Sequence, residues 1–357
     1  YGRKNNLFIK DLSSGTTKQI TFDGEKNKII NGITDWVYEE EFAFVRAFEW
    51  NASSNKIAFI RFDETEVPEF SMDIYGTELY QTQEVFKYPK AGETNAKVSL
   101  HFYDLSSENI STVPLSKDYN DFYIPRIKWT KNPDVLSAQY MNRHQNNLDL
   151  WLLNPATNKA NLVLTDTDAA YVDVTDNLTF LEDNSFIWTS EKDGFNHIYH
   201  YTKDGKLKNQ ITKGNWEVTA YYGYNETAKT IYYQLVENGS INRDVYSIRL
   251  NGKNKKRLSL EEGTNAAEFS ADFTFSASVF SSLMSFSLVV SSLFSLSMVT
   301  MWSVSPVFVL VSDVLDVAKS MVLWFSVSFF AEMSLLTSFA LLTGLEADCI
   351  FLLALRV

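Results

Sequence analysis

One hairpin recurs along this chain, and that recurrence restricts its fold more than any other feature of the sequence. A short apolar run, a polar turn and a second short run ending in Thr or Ser appear as "NNLFIKDLSSGTTKQIT" (5–21) and "VSLHFYDLSSENISTVPL" (98–115). They return as "LDLWLLNPATNKANLVLT" (148–165), "NHIYHYTKDGKLKNQIT" (196–212) and "RDVYSIRLNGKNKKRLS" (243–259). The later copies lie roughly 45 to 50 residues apart, a period typical of propeller blades. Between them runs a second pattern of aromatic, polar turn and buried strand, as in "WNASSNKIAFIRFDE" (50–64) and "LEDNSFIWTSEKDG" (181–194). Together these predict four strands per unit in an all-β fold. A β-sandwich also gives short strands and regular turns, but a whole hairpin repeating at fixed period favours a partial β-propeller of about four to five four-stranded blades. The dipeptides Asp204-Gly205 and Asn251-Gly252 suit two-residue hairpin turns that need positive φ.

The repeats stop abruptly. From Thr274 to Ser312 there is no charged residue, and beyond it only Asp313, Asp316, Lys319, Glu332, Glu346, Asp348 and Arg356 carry charge. A hydrophobic run of this length is ordinarily a membrane-span candidate. Serine at every second or third position and the lack of flanking Lys or Arg argue against that. The reading adopted is a repeat domain over 1–273 and an unrelated hydrophobic, Ser-rich tail over 274–357, produced by out-of-frame translation. Membrane attachment is therefore not expected.

Composition excludes some functions. Lys plus Arg number 32 against 44 Asp plus Glu, a net charge of −12, so no basic footprint for nucleic acid exists. The single cysteine, Cys349, rules out an internal disulfide framework. Asp63, Glu64 and Glu66 form an acidic cluster without the glycine turn and ligand ladder of a calcium loop. No metal or other cofactor is expected. His101, His144, His197 and His200 all fall in or beside strand patterns and read as surface or strand-packing residues.

The segment "DWVYEEEF" (35–42) interrupts a blade. A run of acids is usually a solvated turn. Here Trp36, Val37 and Tyr38 can anchor it, holding the carboxylates rigidly instead of letting them drift. Adjacent carboxylates repel unless a cation lies between them, and two of them make a natural receptor for an ammonium group. Neighbours on a regular helix diverge by about 100°, so convergence on one cation requires a bent or very short helical turn.

"NGITDWVYEEEF" (31–42), "RFDETEVPEF" (61–70) and "ITKGNWEV" (211–218) resemble the propeller of the dipeptidyl peptidase IV family, bacterial type, among the prolyl oligopeptidase clan serine peptidases. The resemblance runs from about Asn5 to Phe273. It implies that Glu40 and Glu41 bind the free amino terminus of a peptide, supported by Trp36 and Tyr38, with Glu39 a neighbouring surface acid. It further implies release of N-terminal X-Pro or X-Ala dipeptides, a periplasmic or cell-surface home, and homodimers of the full-length protein. The insertion from Val67 to Lys97 is comparable to an extension that helps the family's subunits pair; a local arm packed on its own propeller is the alternative. The family's nucleophile lies in a G-x-S-x-G elbow, and no such string occurs here. The family's substrate-binding arginine from an earlier blade would lie upstream of Tyr1. The expectation is a substrate-gating propeller without its catalytic serine, aspartate and histidine, inactive alone. The other readings are a non-catalytic peptide- or protein-binding propeller and one anchored to a membrane through the tail.

Overall fold

Strands buried on both faces decide between sandwich and propeller. In a sandwich each sheet shows one face to water, whereas blades pack both faces against neighbouring blades. The computed structural model describes residues 1–271, 273, 276–280 and 308–311. Its two compact units are Tyr1–Leu258 and Ser259–Val357.

The first unit opens with a three-stranded sheet of β1 (Gly2–Arg3), β2 (Asn6–Lys10) and β3 (Thr17–Gln19). Next come β4 (Ile29–Asn31), the helix α1 (Trp36–Glu41), β5 (Phe48–Trp50) and β6 (Lys56–Asp63). Both β4 and β5 pair antiparallel with β6, so α1 interrupts the inner strand of this blade. The hairpin β7 (Glu69–Ile74) with β8 (Thr82–Lys87) forms a separate two-stranded arm. The blade then resumes with β9 (Lys97–Asp104) and β10 (Ile110–Ser111), in the order β10-β9-β6-β4.

Three regular blades follow, each four antiparallel strands in sequence order. They are β11 (Phe122–Trp129), β12 (Leu136–Asn142), β13 (Asn147–Asn154) and β14 (Lys159–Thr167); β15 (Thr179–Phe180), β16 (Phe186–Ser190), β17 (His197–Tyr201) and β18 (Leu207–Gln210); and β19 (Val218–Asn225), β20 (Thr230–Leu235), β21 (Asp244–Arg249) and β22 (Lys256–Arg257). The second unit contains β23 (Asn265–Phe269), β24 (Ser276–Phe280) and β25 (Phe308–Val311) in one antiparallel sheet. The composition break at residue 273 falls within this unit, and most of the tail lies outside the described residues.

Middle strands carry the double burial. On β6, Ala58, Ile60 and Phe62 enter the main core, while Ile57 and Phe59 pack with Leu7, Ile20 and Tyr103 on the other face. On β16, Phe186 and Trp188 face the main core and Ile187 faces the core of the last blade with Ile198, Ile231 and Tyr233. Each such large side chain is worth about 1.5–3 kcal/mol when taken from water. The result is the expected all-β partial propeller, with near-continuous apolar runs in the middle strands instead of the alternation of a half-exposed sheet.

The turns differ from expectation. Gly205 and Gly252 have φ of 78° and 77°, but the residues before them stay at negative φ. Gly205 N–H donates to the Thr202 carbonyl and Gly252 N–H to the Arg249 carbonyl. These are longer turns closed by one left-handed residue, the G1-bulge type, not two-residue turns. A Cβ on Gly205 would also meet the Val163 carbonyl oxygen of the preceding blade at 1.6 Å.

Candidate amino-terminus docking site

Six residues of helix carry the acidic run. Asp35 caps α1, its Oδ1 accepting from the Tyr38 N–H at 3.0 Å. Asp35 is only 7% exposed. Burial pushes its carboxyl up to about 6, against the opposing pull of its backbone hydrogen bonds. Glu64 is pushed up to about 7, first by burial and then by the nearby charge of Asp35. The helix ends where Ala43 turns left-handed at φ 56°.

Tyr38 fixes the helix to the propeller. It is 1% exposed, and its Oη accepts from the Ile124 N–H on β11 at 2.7 Å. Its ring meets Phe42, Phe62 and Tyr123 edge-on at 5.0, 4.8 and 6.0 Å. Trp36 packs on Tyr88 at 4.1 Å, tying the other side of α1 to the root of the arm. Val37 adds a partly buried contact to the core. All three apolar residues therefore anchor the acidic segment.

With Tyr38 facing inward, the helical increment of about 100° per residue turns Glu40 outward and returns Glu41 toward the propeller. All three glutamates are exposed. The Glu41 Oε1 accepts from Gln145 Nε2 at 2.8 Å, across 104 residues of sequence. Glu40 carries no hydrogen bond or ion pair among the described residues. Thus one of the two predicted ligands is held and the other is free. These carboxylates also sit in the last turn of the helix, whose partial charge is negative and which holds no basic side chain. Placing acids there works against the helix, so a cation arriving at them relieves an existing repulsion.

Several neighbours were not legible in the sequence. Tyr123 feels Glu41: burial and then Arg143, Asn95, Asp121 and Glu41 act on it, with its phenol raised overall. Tyr171 is raised by burial and by Glu41 and Asp173. The turn bearing Gln145 binds the 168–172 loop through Val172 N–H to the Gln145 carbonyl, 2.8 Å. That loop borders a cavity of about 380 Å³ lined by Asp166, Asp168, Tyr171, Asp173, Glu191 and Lys192, among others. Glu40 and Glu41 do not line it.

The other candidates separate. Asp63 accepts from the Thr65 N–H, Glu64 is buried, and Glu66 pairs with Lys97 at 2.8 Å. No group of three or more metal-ligating side chains occurs among the described residues. His197 is fully buried between Thr212 Oγ1 and the Gly214 carbonyl, both 3.1 Å away. His200 bonds Ser185, His101 stacks on Phe59, and His144 is exposed.

Residues 1–285 match the family described as "Dipeptidyl peptidase IV (DPP IV) N-terminal region". The chain belongs to this family. A crystal structure of Porphyromonas gingivalis dipeptidyl peptidase 4 is 42% identical, with a TM-score of 0.74 over 78% of this chain and 40% of that one. A probable dipeptidyl-aminopeptidase B of Talaromyces marneffei is 30% identical, covering 77% of this chain. A structure of a putative dipeptidyl aminopeptidase IV from Bacteroides ovatus, at 21% identity and TM-score 0.65, shares the fold. The chain spans about a third of the length of the curated relatives it matches. Among the described residues, no helix is long and apolar enough to cross a membrane.

Proposed function

We propose that this propeller docks the free amino terminus of a peptide for a serine-type dipeptidyl peptidase that releases X-Pro and X-Ala dipeptides. Glu41, held by Gln145, and Glu40, whose unpartnered side chain swings across about 100° of helix to meet the same cation, accept the N–H bonds of the ammonium. The observation that carries this reading is the presentation of two unneutralised carboxylates at the negative end of a helix that Tyr38 and Trp36 fix in place. A bound ammonium sets how far the chain extends toward a nucleophile, which limits cleavage to the second residue. The hydrolytic serine, histidine and aspartate belong to the family's hydrolase domain, so the propeller's part is to bind and not to cleave. A periplasmic or cell-surface location and pairing of full-length copies through the exposed arm are part of the same proposal.

The test is calorimetric binding of a Gly-Pro tripeptide with a free or an acetylated amino terminus. Hydrogen bonds to charged groups contribute about 1.5–3 kcal/mol, so acetylation should weaken binding by roughly ten- to a hundredfold. Glu40→Gln and Glu41→Gln should each narrow that gap. Equal affinity of the wild-type chain for the two peptides would remove the basis of the proposal.

A further inference from the structure

We infer that Gln145 is the positioning residue of this site: it fixes the Glu41 carboxylate in the orientation that receives the ammonium. The inference rests on the docking role proposed for Glu41.

Gln145 closes the turn between β12 and β13 with a left-handed backbone, φ 53°. The corresponding turn of the next blade is closed by Gly194, φ 99°, with the same bond from the closing N–H to the carbonyl three residues earlier. Glycine adopts this conformation freely, whereas glutamine is not among the residues that favour it. A long amide therefore occupies a place where the turn alone asks for glycine or asparagine.

The turn fixes the backbone from which that amide extends. Gln145 N–H donates to the Asn142 carbonyl at 2.9 Å, and the Gln145 carbonyl accepts from Val172. Asn142 Oδ1 accepts from the N–H groups of Asn146 and Asn147 at 3.1 and 3.0 Å, and Asn142 Nδ2 donates to Asn146 Oδ1 at 2.8 Å. The amide orientation follows from its partner. Nε2 faces Glu41, since reversing the group would set Oε1 against a carboxylate. In this orientation Oε1 is buried without any hydrogen-bond partner. The side chain thus leaves its own acceptor unsatisfied while its donor holds Glu41, an arrangement that serves the carboxylate rather than the turn.

A neutral donor is the appropriate choice. A cation there would neutralise Glu41 and compete with the substrate. The arginine of this turn, Arg143, is directed elsewhere, to Asp121 and the Glu93 carbonyl. Glu41 is held by a neutral partner.

The experiment measures binding of free and acetylated Gly-Pro tripeptides to Gln145→Ala and Gln145→Lys, with melting temperatures as the check on folding. In Gln145→Ala the free peptide should bind about five- to tenfold more weakly, the loss of one charge-assisted contact, with the acetylated peptide unchanged. Gln145→Lys keeps a donor of similar reach but neutralises Glu41, so discrimination should fall to the level of Glu41→Gln. A purely structural role for Gln145 would shift both peptides, or the melting temperature, together; that result overturns the inference. So does unchanged discrimination in both variants when Glu41→Gln abolishes it, which leaves the docking role intact. If Glu41→Gln itself has no effect, both readings fall.

Discussion

Replacing Asp35 by asparagine should stabilise the protein above neutral pH and do so much less in mild acid. Asp35 caps α1 from a buried position, and its carboxyl is raised from 3.8 to about 6. A raised acid means that the folded state holds its proton more tightly than the unfolded chain does. Stability is then fullest below about pH 4 and declines as pH rises from there through 6. The shift corresponds to roughly 3 kcal/mol once the group is ionised. Asparagine caps a helix about as well as aspartate and carries no charge to bury. Losing the carboxylate's attraction to the helix N-terminus costs about 0.3–1 kcal/mol. The variant should gain about 2–2.7 kcal/mol at pH 8 and no more than about 1 kcal/mol at pH 4.5. Glu64, raised partly by Asp35, should titrate lower in the variant. Urea denaturation at both pH values, wild type beside variant in the same buffer, provides the measurement. An advantage independent of pH, or a loss at pH 8, would refute the account of Asp35 as a capping residue that is costly when charged.

Two further outcomes follow from the same contacts. Tyr38→Phe keeps the ring packing but leaves the Ile124 N–H buried without an acceptor, which should cost about 1–3 kcal/mol in the urea midpoint; an unchanged midpoint would show that water replaces the phenol. The arm exposes Tyr75, Leu79 and Tyr80 at 80%, 89% and 79%, so on the proposed pairing the full-length protein should sediment as a dimer and its Leu79→Asp/Tyr80→Asp variant as a monomer, and equal sedimentation of the two would exclude the arm as the pairing surface.

The distribution of legible and illegible features follows sequence distance. Hairpins are local, so their apolar runs and turn residues are written in consecutive positions, and the blades could be read from "LDLWLLNPATNKANLVLT" and its copies. The turn type could not, because Asp204 and Asn251 carry the composition of a two-residue turn while bulges move the positive φ to the glycine alone. The anchoring of the acidic run by Trp36 and Tyr38 was likewise visible as an apolar block beside the charges. Tyr88, which receives Trp36, and Ile124, which Tyr38 binds, were not.

By itself the sequence determined the blade repeat, the acidic segment that interrupts a blade, and the family; that this segment is a six-residue helix between two strands that both pair with β6 came from the structure. Only the tertiary structure decided which carboxylate is held. Glu41 meets Gln145 because blade packing closes a gap of 104 residues, and no local periodicity encodes which turn of the next blade will lie against a helix. Burial did the same for Asp35 and Glu64: their raised carboxyls come from surrounding atoms contributed by distant strands, a property that residue type and spacing do not contain.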